Sequence, residues 1–419
     1  MGIRTQLSVD FAAISFLILY PLYFFYNAAI AFGYISPVFG DRGAVLYGAY
    51  SVIVTLIYIT CFAPLAKDVR FQTIWLMKLL YIFVGWFLFW VSLNYLFNRD
   101  SYVDASSFKL FCCLIMLLAN FAIGCHLGLM IKWFRVVLLV LWFCMLVFVL
   151  STFDHETLSV HGGLYRDEIK GLEGLENFAS YQGFARSALL TSFIILAITK
   201  TFAIRLLVEA ISLVILFFLS ARSELVGFLF AVMVFESLVS LKKPSRIFVL
   251  AFFGCFAAIF LAYFNNSFLP DISDSRVAAL SDLADDHSWQ MRSDFNDRAF
   301  MQIIDNPLFG KFGGEYYEGI GAEGTYAHNI LSVWVSLGLP GFLLYLSLLL
   351  GSFLVAMKNV FRTGGNSDLW NLTLLTSVTA LLLSLFAKSI HEVWFALVLG
   401  LLVNVGREEL RLPGRRTLE

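Results

Sequence analysis

Charged residues are scarce in this sequence: Asp, Glu, Lys and Arg make up 14% of its 419 residues, against about 25% in an ordinary soluble domain. Apolar residues take their place and reach 60%. A water-soluble globule of this composition would expose apolar patches far larger than soluble monomers tolerate. The composition therefore excludes a cytosolic enzyme, a secreted disulfide scaffold and a nucleic-acid-binding protein, and it indicates a polytopic membrane protein.

Motifs for metals and nucleotides are missing as well. No HExxH, Walker A or GxSxG sequence occurs, and the six cysteines lie within apolar runs without CxxC spacing. The acidic residues Asp271, Asp274, Asp285 and Asp286 are typical of a solvated surface rather than of a cation site. We therefore expect no metal, no cofactor and no nucleotide hydrolysis.

The sequence is instead filled with long apolar runs. A membrane-spanning helix needs about 20 mostly apolar residues, and the runs between polar breaks predict an all-α bundle of about twelve transmembrane helices. The first run continues to Phe32 without a cleavage site, so it is predicted to be a span rather than a signal peptide. The predicted spans are 11–32, 44–65, 73–96, 108–130, 136–153, 184–199, 206–221, 223–241, 247–264, 329–357, 369–387 and 393–406.

The distribution of Lys and Arg predicts the orientation of these spans. Alternate short loops are rich in basic residues, such as Lys67 with Arg70 and Lys132 with Arg135. By the positive-inside rule, these loops and both termini lie in the cytoplasm. The protein is therefore predicted to be a multi-pass membrane protein with both termini on the cytoplasmic side.

Two long loops are predicted on the external side, at about 154–183 and 265–328. The second is acidic yet rich in aromatic residues, and loops of this length are usually functional. Apolar residues recur at helical spacing from Ser288 to Ile304, which predicts a short helix on the external face. The expected organisation is nine spans in 1–264, the large loop in 265–328, and three spans with a cytoplasmic tail in 329–419.

Ionisable residues at membrane depth are candidate functional residues, because burying a charge in a bilayer is costly. Arg222 lies between two short apolar runs, at or just below the external rim. It could snorkel there and pair with Glu224, or its planar guanidinium could bind a diphosphate. Glu209 and Glu236 lie within predicted spans, where they could pair with nearby basic residues, and neither is assigned a role.

Three further residues are predicted on the same external side. Arg298 lies on the predicted loop helix, as a surface ion-pair partner of Asp294 or Asp297 or as a second ligand of the diphosphate. Arg186 opens the sixth span, as a snorkelling flank residue or a substrate contact. His328 joins the large loop to the tenth span, where a neutral imidazole could act as a base or cap the helix.

Several short segments carry a family resemblance. His328-Asn329, followed by Gly338-Leu339-Pro340-Gly341, resembles the hallmark of the O-antigen ligase and O-antigen polymerase superfamily, in which a His-Asn pair ends the large periplasmic loop and a Gly-x-x-Gly turn follows. Upstream, Arg298 and Asn306-Pro307-Leu308-Phe309-Gly310 resemble the family's loop arginine and its Asn-Pro-Leu-x-Gly segment. Ser220-Ala221-Arg222 resembles its Ser-x-Arg. These motifs together, in this order along the chain, are more specific for the family than any one motif alone.

The resemblance covers about 220–345 and implies a metal-independent glycosyltransferase. Such enzymes transfer a glycan from undecaprenyl diphosphate to an acceptor hydroxyl on the periplasmic side of the inner membrane. Arg222 and Arg298 would neutralise the departing diphosphate, and His328 would take the proton from the acceptor. We further expect the substrate to contact a set of residues that includes both arginines: Arg186, Arg222, Arg298, Tyr326 and Asn329.

The nature of the acceptor is left open by the sequence. A polymerase extends another lipid-linked repeat unit, whereas a ligase attaches the glycan to lipid A-core. Many family members carry Glu just before the first glycine of Gly-x-x-Gly, and Leu337 stands there in this chain. The histidine-to-glycine spacing is also one residue shorter than in the family. The missing glutamate favours a polymerase of O-antigen or another polysaccharide, with a ligase as the alternative.

A transporter of lipid-linked sugars is the competing class of function. It would have a similar size, but it should scatter charges along several spans and show internal symmetry. The predicted partners of the enzyme are the lipid-linked glycan, an acceptor glycan or lipid A-core, and the bilayer. A chain-length regulator protein is a further candidate partner, and nucleic acid is not expected.

Overall fold

The computed structural model describes residues 3–32, 34, 43–62, 71–98, 101–153, 160, 181–241, 287–314, 327, 329–387 and 394–411, and in these ranges the chain forms helices and no strands. The fold class is therefore confirmed as an all-α polytopic bundle. The helices are α1 Ile3–Leu19, α2 Pro21–Ala31, α3 Gly43–Ile57 with a π-helical turn Tyr58–Phe62, α4 Phe71–Phe97, α5 Ser101–His126, α6 Lys132–Thr152, α7 Tyr181–Ile198, α8 Phe202–Phe218, α9 Arg222–Ser240, α10 His287–Asp305, α11 Leu331–Thr363, α12 Asp368–Phe386 and α13 Trp394–Arg411.

Most predicted spans coincide with a helix. Within the described ranges, seven helices are long and apolar enough to cross a membrane, and shorter apolar helices occupy Ala49–Cys61, Gln182–Ile198 and Trp394–Gly406. The predicted ninth span, 247–264, lies outside the described residues. The total of twelve spans and the division into three regions therefore stay predictions.

Several predicted span boundaries differ from the helix ends by more than two residues, including the starts of the first, fourth and fifth spans and the end of the tenth. The first helical segment begins at Ile3, not at 11, because backbone hydrogen bonds continue through polar residues that the apolar count stopped at. It also breaks at Tyr20, just before Pro21, which lacks an N–H. Helix α5 ends at His126, although the apolar run that predicted this span continues to Met130.

The bundle is held by close backbone contact between α5 and α13. A Cβ built on Gly124 would lie 2.4 Å from the carbonyl oxygen of Leu397, and one built on Gly400 would lie 2.2 Å from that of Phe121. Only glycine at both positions permits this approach, which is typical of helix pairs in membranes. Asn404 adds hydrogen bonds from its Nδ2 to the carbonyls of Gly124 and Leu127 at 3.2 and 2.8 Å.

Helix α12 forms the centre of the C-terminal half, since nearly all of its side chains are buried, including Leu374, Leu375 and Thr379. It packs against α7, α9, α11 and α13. At its first residue, Asp368 pairs with Lys200 and, at 2.9 Å, with Arg135. These basic residues belong to predicted cytoplasmic loops. The N-terminal end of α12 therefore lies at the end of the bundle that is predicted to face the cytoplasm.

Candidate functional site

A tight turn between α8 and α9 places Arg222 at a helix terminus. Only Leu219, Ser220 and Ala221 separate the two helices, and Ser220 has a φ of 56° while being 5% exposed. A buried non-glycine residue in the left-handed region costs roughly 1–3 kcal/mol, and such strain concentrates at functional sites. Arg222 is then the first residue of α9, where the N–H groups of the first turn favour an anion.

Glu224 links this helix end to Arg186 on α7. The Glu224 side chain is 0% exposed, and its Oε2 accepts a hydrogen bond from Ser223 Oγ at 2.7 Å. Arg186 Nε lies 3.9 Å from Glu224 Oε1. A buried carboxylate needs such partners to offset its lost hydration. The structure therefore brings Arg186 and the Arg222 end of α9 together, at the end of the bundle opposite to Asp368.

Helix α10 confirms the predicted loop helix almost to the residue, since His287–Asp305 contains the expected Ser288 to Ile304. It buries Phe295, Ala299 and Ile303, one face of the helix, and packs on the start of α11. Gln302 is buried as well, and most of the other described side chains of α10 are exposed.

Arg298 is exposed on the flank of α10. Within the described ranges it forms no ion pair, so the predicted surface pairing with Asp294 or Asp297 is not present there. Helix α11 packs against both α10 and α9, the two helices that carry Arg298 and Arg222. The convergence of the two arginines on one cavity stays a prediction.

Asn329 joins α10 to α11. Its Nδ2 donates to Asn296 Oδ1 at 2.9 Å, and its Oδ1 accepts from the backbone N–H of Leu331 at 2.9 Å, at the first turn of α11. The amide therefore pairs with one of the free N–H groups at the start of α11 and ties this helix to α10. Sequence reasoning predicted Asn329 as a substrate contact, and the structure adds this positioning contact.

His328 and Tyr326 lie outside the described residues, so their predicted roles stay predictions. Their neighbours show where the chain passes: Ala327 is 4% exposed and packs with Ala299, Ile303 and Val335 in the small core between α10 and α11. Together with Asn329, this anchors both sides of the predicted catalytic histidine in sequence.

A backbone-to-backbone contact explains the two glycine-bearing motifs. Helix α11 breaks at Gly338, which has a φ of 68° and a ψ of −179°. A Cβ on Gly338 would lie 2.6 Å from the carbonyl oxygen of Leu308, and a Cβ on Gly310, which has a φ of 67°, would lie 2.4 Å from those of Trp334 and Val335. The Asn-Pro-Leu-x-Gly segment therefore fits into the break of α11.

The break in α11 leaves backbone N–H and C=O groups without partners in the helix, and these groups form hydrogen bonds with the loop segment. Lys311 N–H donates to the carbonyl of Val335 at 3.0 Å, and Leu339 N–H donates to that of Leu308 at 3.0 Å. Pro340 has no N–H to satisfy. Because unpaired buried backbone groups are costly, these bonds hold the loop segment in one register against the helix.

Three tryptophans complete this contact, which we call the α11 clasp and define as residues 306–311 against residues 334–339. Trp86 Nε1 donates to the carbonyl of Leu337 at 2.9 Å, and Trp334 Nε1 donates to that of Pro307 at 2.8 Å. Trp90 stacks on Phe309 with ring centroids 5.6 Å apart. The clasp fixes the C-terminal end of α10, and hence Arg298, relative to α4 and α11.

The predicted pairing of the buried glutamates is confirmed for Glu236. Arg205 Nε and Nη2 donate to the two carboxylate oxygens of Glu236 at 2.6 and 2.8 Å, and both side chains are nearly inaccessible. Glu209 is buried beside this pair. The pair joins α8 to α9 toward the end opposite to Arg222, so it stabilises the hairpin that presents Arg222.

The comparison with protein families returns one match. Residues 207–346 match the family model described as O-antigen ligase. This segment, about a third of the chain, is similar to the O-antigen ligase family. It begins in α8 and ends in α11, so it contains the Arg222 turn, Arg298, the clasp and Asn329. No curated protein matches the chain.

The match confirms the family resemblance that the motifs carry, and it indicates a function of the O-antigen ligase or polymerase type. Members of this family are glycosyltransferase-like enzymes that act on a lipid-linked glycan and an acceptor. Arg186 lies outside the matched residues and enters the site through Glu224. The described residues contain no group of three or more His, Cys, Asp or Glu side chains that could hold a metal ion, and the expectation of metal independence stays a prediction.

Proposed function

We propose that this protein transfers a glycan from undecaprenyl diphosphate to an acceptor hydroxyl on the periplasmic side of the inner membrane, and that it polymerises repeat units of O-antigen or a related polysaccharide. The observation that carries the proposal is the matched domain, which contains Arg222, Arg298 and His328 in order. Arg222 at a helix N-terminus and Arg298 on an exposed helix flank are both suited to a diphosphate.

The proposed reaction is a substitution at the anomeric carbon of the donor glycan. The acceptor oxygen forms the new bond to that carbon while the bond to the diphosphate oxygen breaks, and undecaprenyl diphosphate leaves. His328, as the neutral base, takes the proton of the acceptor hydroxyl. Arg222 and Arg298 stabilise the negative charge that develops on the diphosphate.

The polymerase is favoured over the ligase by the position that carries glutamate in many members. Here it is Leu337, whose side chain is 0% exposed and whose carbonyl accepts the Trp86 hydrogen bond. A carboxylate at this buried position would be costly without a partner. Leu337 therefore contributes apolar packing within the clasp.

Incubation of the purified protein with lipid-linked repeat units alone tests the proposal. A ladder of longer lipid-linked glycans, with release of undecaprenyl diphosphate, supports the polymerase. Transfer that requires added lipid A-core would establish the ligase instead. Movement of the intact substrate across vesicle membranes without release of undecaprenyl diphosphate would establish a transporter and contradict both.

A further inference from the structure

A cavity of about 350 Å³ lies between the π-helical turn after α3, α4, α5 and α13. Its surface is mainly apolar, with a few polar groups: the hydroxyls of Thr55, Tyr58 and Tyr81 and the ammonium group of Lys78. Its apolar lining includes Ile74, Met77, Leu118 and Phe121.

Lys78 is the only charged residue of α4. It is exposed at the side of the bundle, seven residues from the first residue of the helix, which places its Cα about 10 Å along the helix axis from that end. A lysine at this depth must extend its ammonium group to the headgroup layer or meet an anion. Within the described ranges no carboxylate forms an ion pair with Lys78.

The cavity is separate from the candidate active site. Trp90, which contacts the clasp, lies twelve residues after Lys78, so the two are about 18 Å apart along α4. The start of α4 follows the basic pair Lys67 and Arg70, whose loop is predicted to be cytoplasmic. The cavity therefore lies at the end of the bundle opposite to Arg222.

We propose that this cavity binds an anionic glycerophospholipid of the cytoplasmic leaflet, with an acyl chain in the apolar part and the phosphate on Lys78. Basic pockets between transmembrane helices on the cytoplasmic side have the charge that complements such headgroups. The carrier lipid of the reaction is not the occupant, because its diphosphate must reach the opposite end of the bundle. This site is independent of the proposed glycosyl transfer.

Lipid binding to the delipidated protein tests the site. Titration with phosphatidylglycerol, phosphatidylethanolamine and undecaprenyl phosphate, followed by native mass spectrometry and by melting temperature, should show preferential retention of phosphatidylglycerol. Lys78→Ala should reduce the preference for phosphatidylglycerol over phosphatidylethanolamine about fivefold, the change for one lysine near a lipid phosphate. The matched control is Lys358→Ala, since Lys358 is exposed on α11 toward the same end and does not line the cavity.

A second variant tests whether the lipid enters the cavity. Leu118→Trp should reduce retention of phosphatidylglycerol and phosphatidylethanolamine alike while the melting temperature without lipid stays near that of the wild type. If Lys78→Ala keeps the wild-type headgroup preference, or undecaprenyl phosphate is retained in place of phosphatidylglycerol, the proposal is overturned. If Leu118→Trp fails to fold, the Lys78→Ala result alone decides whether the lipid proposal stands.

Discussion

Gly310 and Gly338 lie on the two sides of one backbone-to-backbone contact, and each has a positive φ that a side chain would strain. The contact joins the loop that carries Arg298 to the broken helix that follows His328. The two glycines of the family motifs are therefore explained by packing, without a direct role in the chemistry. A substitution at either glycine should therefore displace α10, the helix that carries Arg298.

Substituting either glycine of the clasp by alanine should destabilise the protein and abolish glycan transfer. The new Cβ would overlap a carbonyl oxygen, at 2.4 Å for Gly310 and 2.6 Å for Gly338, and strained left-handed residues cost about 1–3 kcal/mol before any clash is counted. The measurement is the melting temperature in detergent, followed by activity. Gly85→Ala is the matched control, because nothing lies within 4 Å of a Cβ there and alanine favours the helix. A Gly338→Ala protein with wild-type stability would contradict this role of the clasp.

The clasp also shows what the sequence could and could not predict. Helix α10 was predictable because its apolar residues repeat at helical spacing, and Phe295, Ala299 and Ile303 are indeed buried. The contact of Gly310 with the carbonyl of Val335 could not be predicted. Periodicity describes each segment separately and carries no information about contacts between distant backbones.

For the charged residues, too, the sequence predicted part of the arrangement and the structure was needed for the rest. A carboxylate within a span must find a partner, which predicted the pairing of Glu236. Its partner, Arg205, could be identified only once the structure had set the register of α8 against α9. Likewise, Arg186 was expected to be a flank residue or a substrate contact, and its approach to buried Glu224 depends on how α7 packs beside α9.

The Asn296–Asn329 bond should act by positioning α10 on α11. Asn329→Asp keeps the acceptor for Leu331 N–H but loses the donor to Asn296, whereas Asn329→Ala loses both. We therefore expect Asn329→Ala to be the less stable of the two, by about 0.5–1.5 kcal/mol for the lost hydrogen bond to Leu331 N–H. Comparison with Asn296→Ala and the double variant gives a coupling energy, with values of about 0.5–3 kcal/mol expected for residues in contact.

A substrate-binding role of Asn329 would appear in the same series. If Asn296→Ala keeps full activity while Asn329→Asp raises KM for the lipid-linked donor, then Asn329 contacts substrate directly. If both variants lose activity to the same extent, with coupled stability, Asn329 acts by positioning.

Arg222 and Arg298 should both be needed for transfer. Alanine at either position should lower kcat by about 10²–10³-fold, as when one group that stabilises developing charge is removed. Lysine should rescue only partly, because it lacks the bidentate fork. Arg292→Ala is the control on the same helix, and it should keep activity. Full activity of Arg298→Ala would remove Arg298 from the site.

The buried pair of Arg205 and Glu236 should contribute to stability and not to chemistry. Glu236→Ala leaves a buried guanidinium without its carboxylate, and we expect a loss of about 3–5 kcal/mol in unfolding free energy. Lys200→Ala removes a pair whose lysine is 48% exposed, and it should cost at most about 1 kcal/mol. Arg205→Met combined with Glu236→Leu should restore most of the stability and retain transfer. An inactive but stable double variant would show that the charges themselves are required.

The pH dependence of transfer should identify the base. A histidine side chain ordinarily has a pKa of about 6.5, and only the neutral imidazole can accept the proton of the acceptor hydroxyl. Turnover should therefore be maximal above that pH and fall about tenfold for each unit below it. His328→Ala should lose about 10²–10⁴-fold in kcat at neutral pH, and it should bind the lipid-linked donor nearly as well as the wild type, since the arginines hold the diphosphate.

His328→Gln separates catalysis from positioning. Glutamine can form a hydrogen bond but cannot accept the proton at neutral pH, so this variant should be as inactive as His328→Ala and should lose the acidic limb of the pH profile in its residual activity. A glutamine variant with the wild-type rate would make His328 a positioning residue. The base would then be sought among the carboxylates of the same loop, Glu315, Glu318 and Glu323, by the same pH measurement on their glutamine variants.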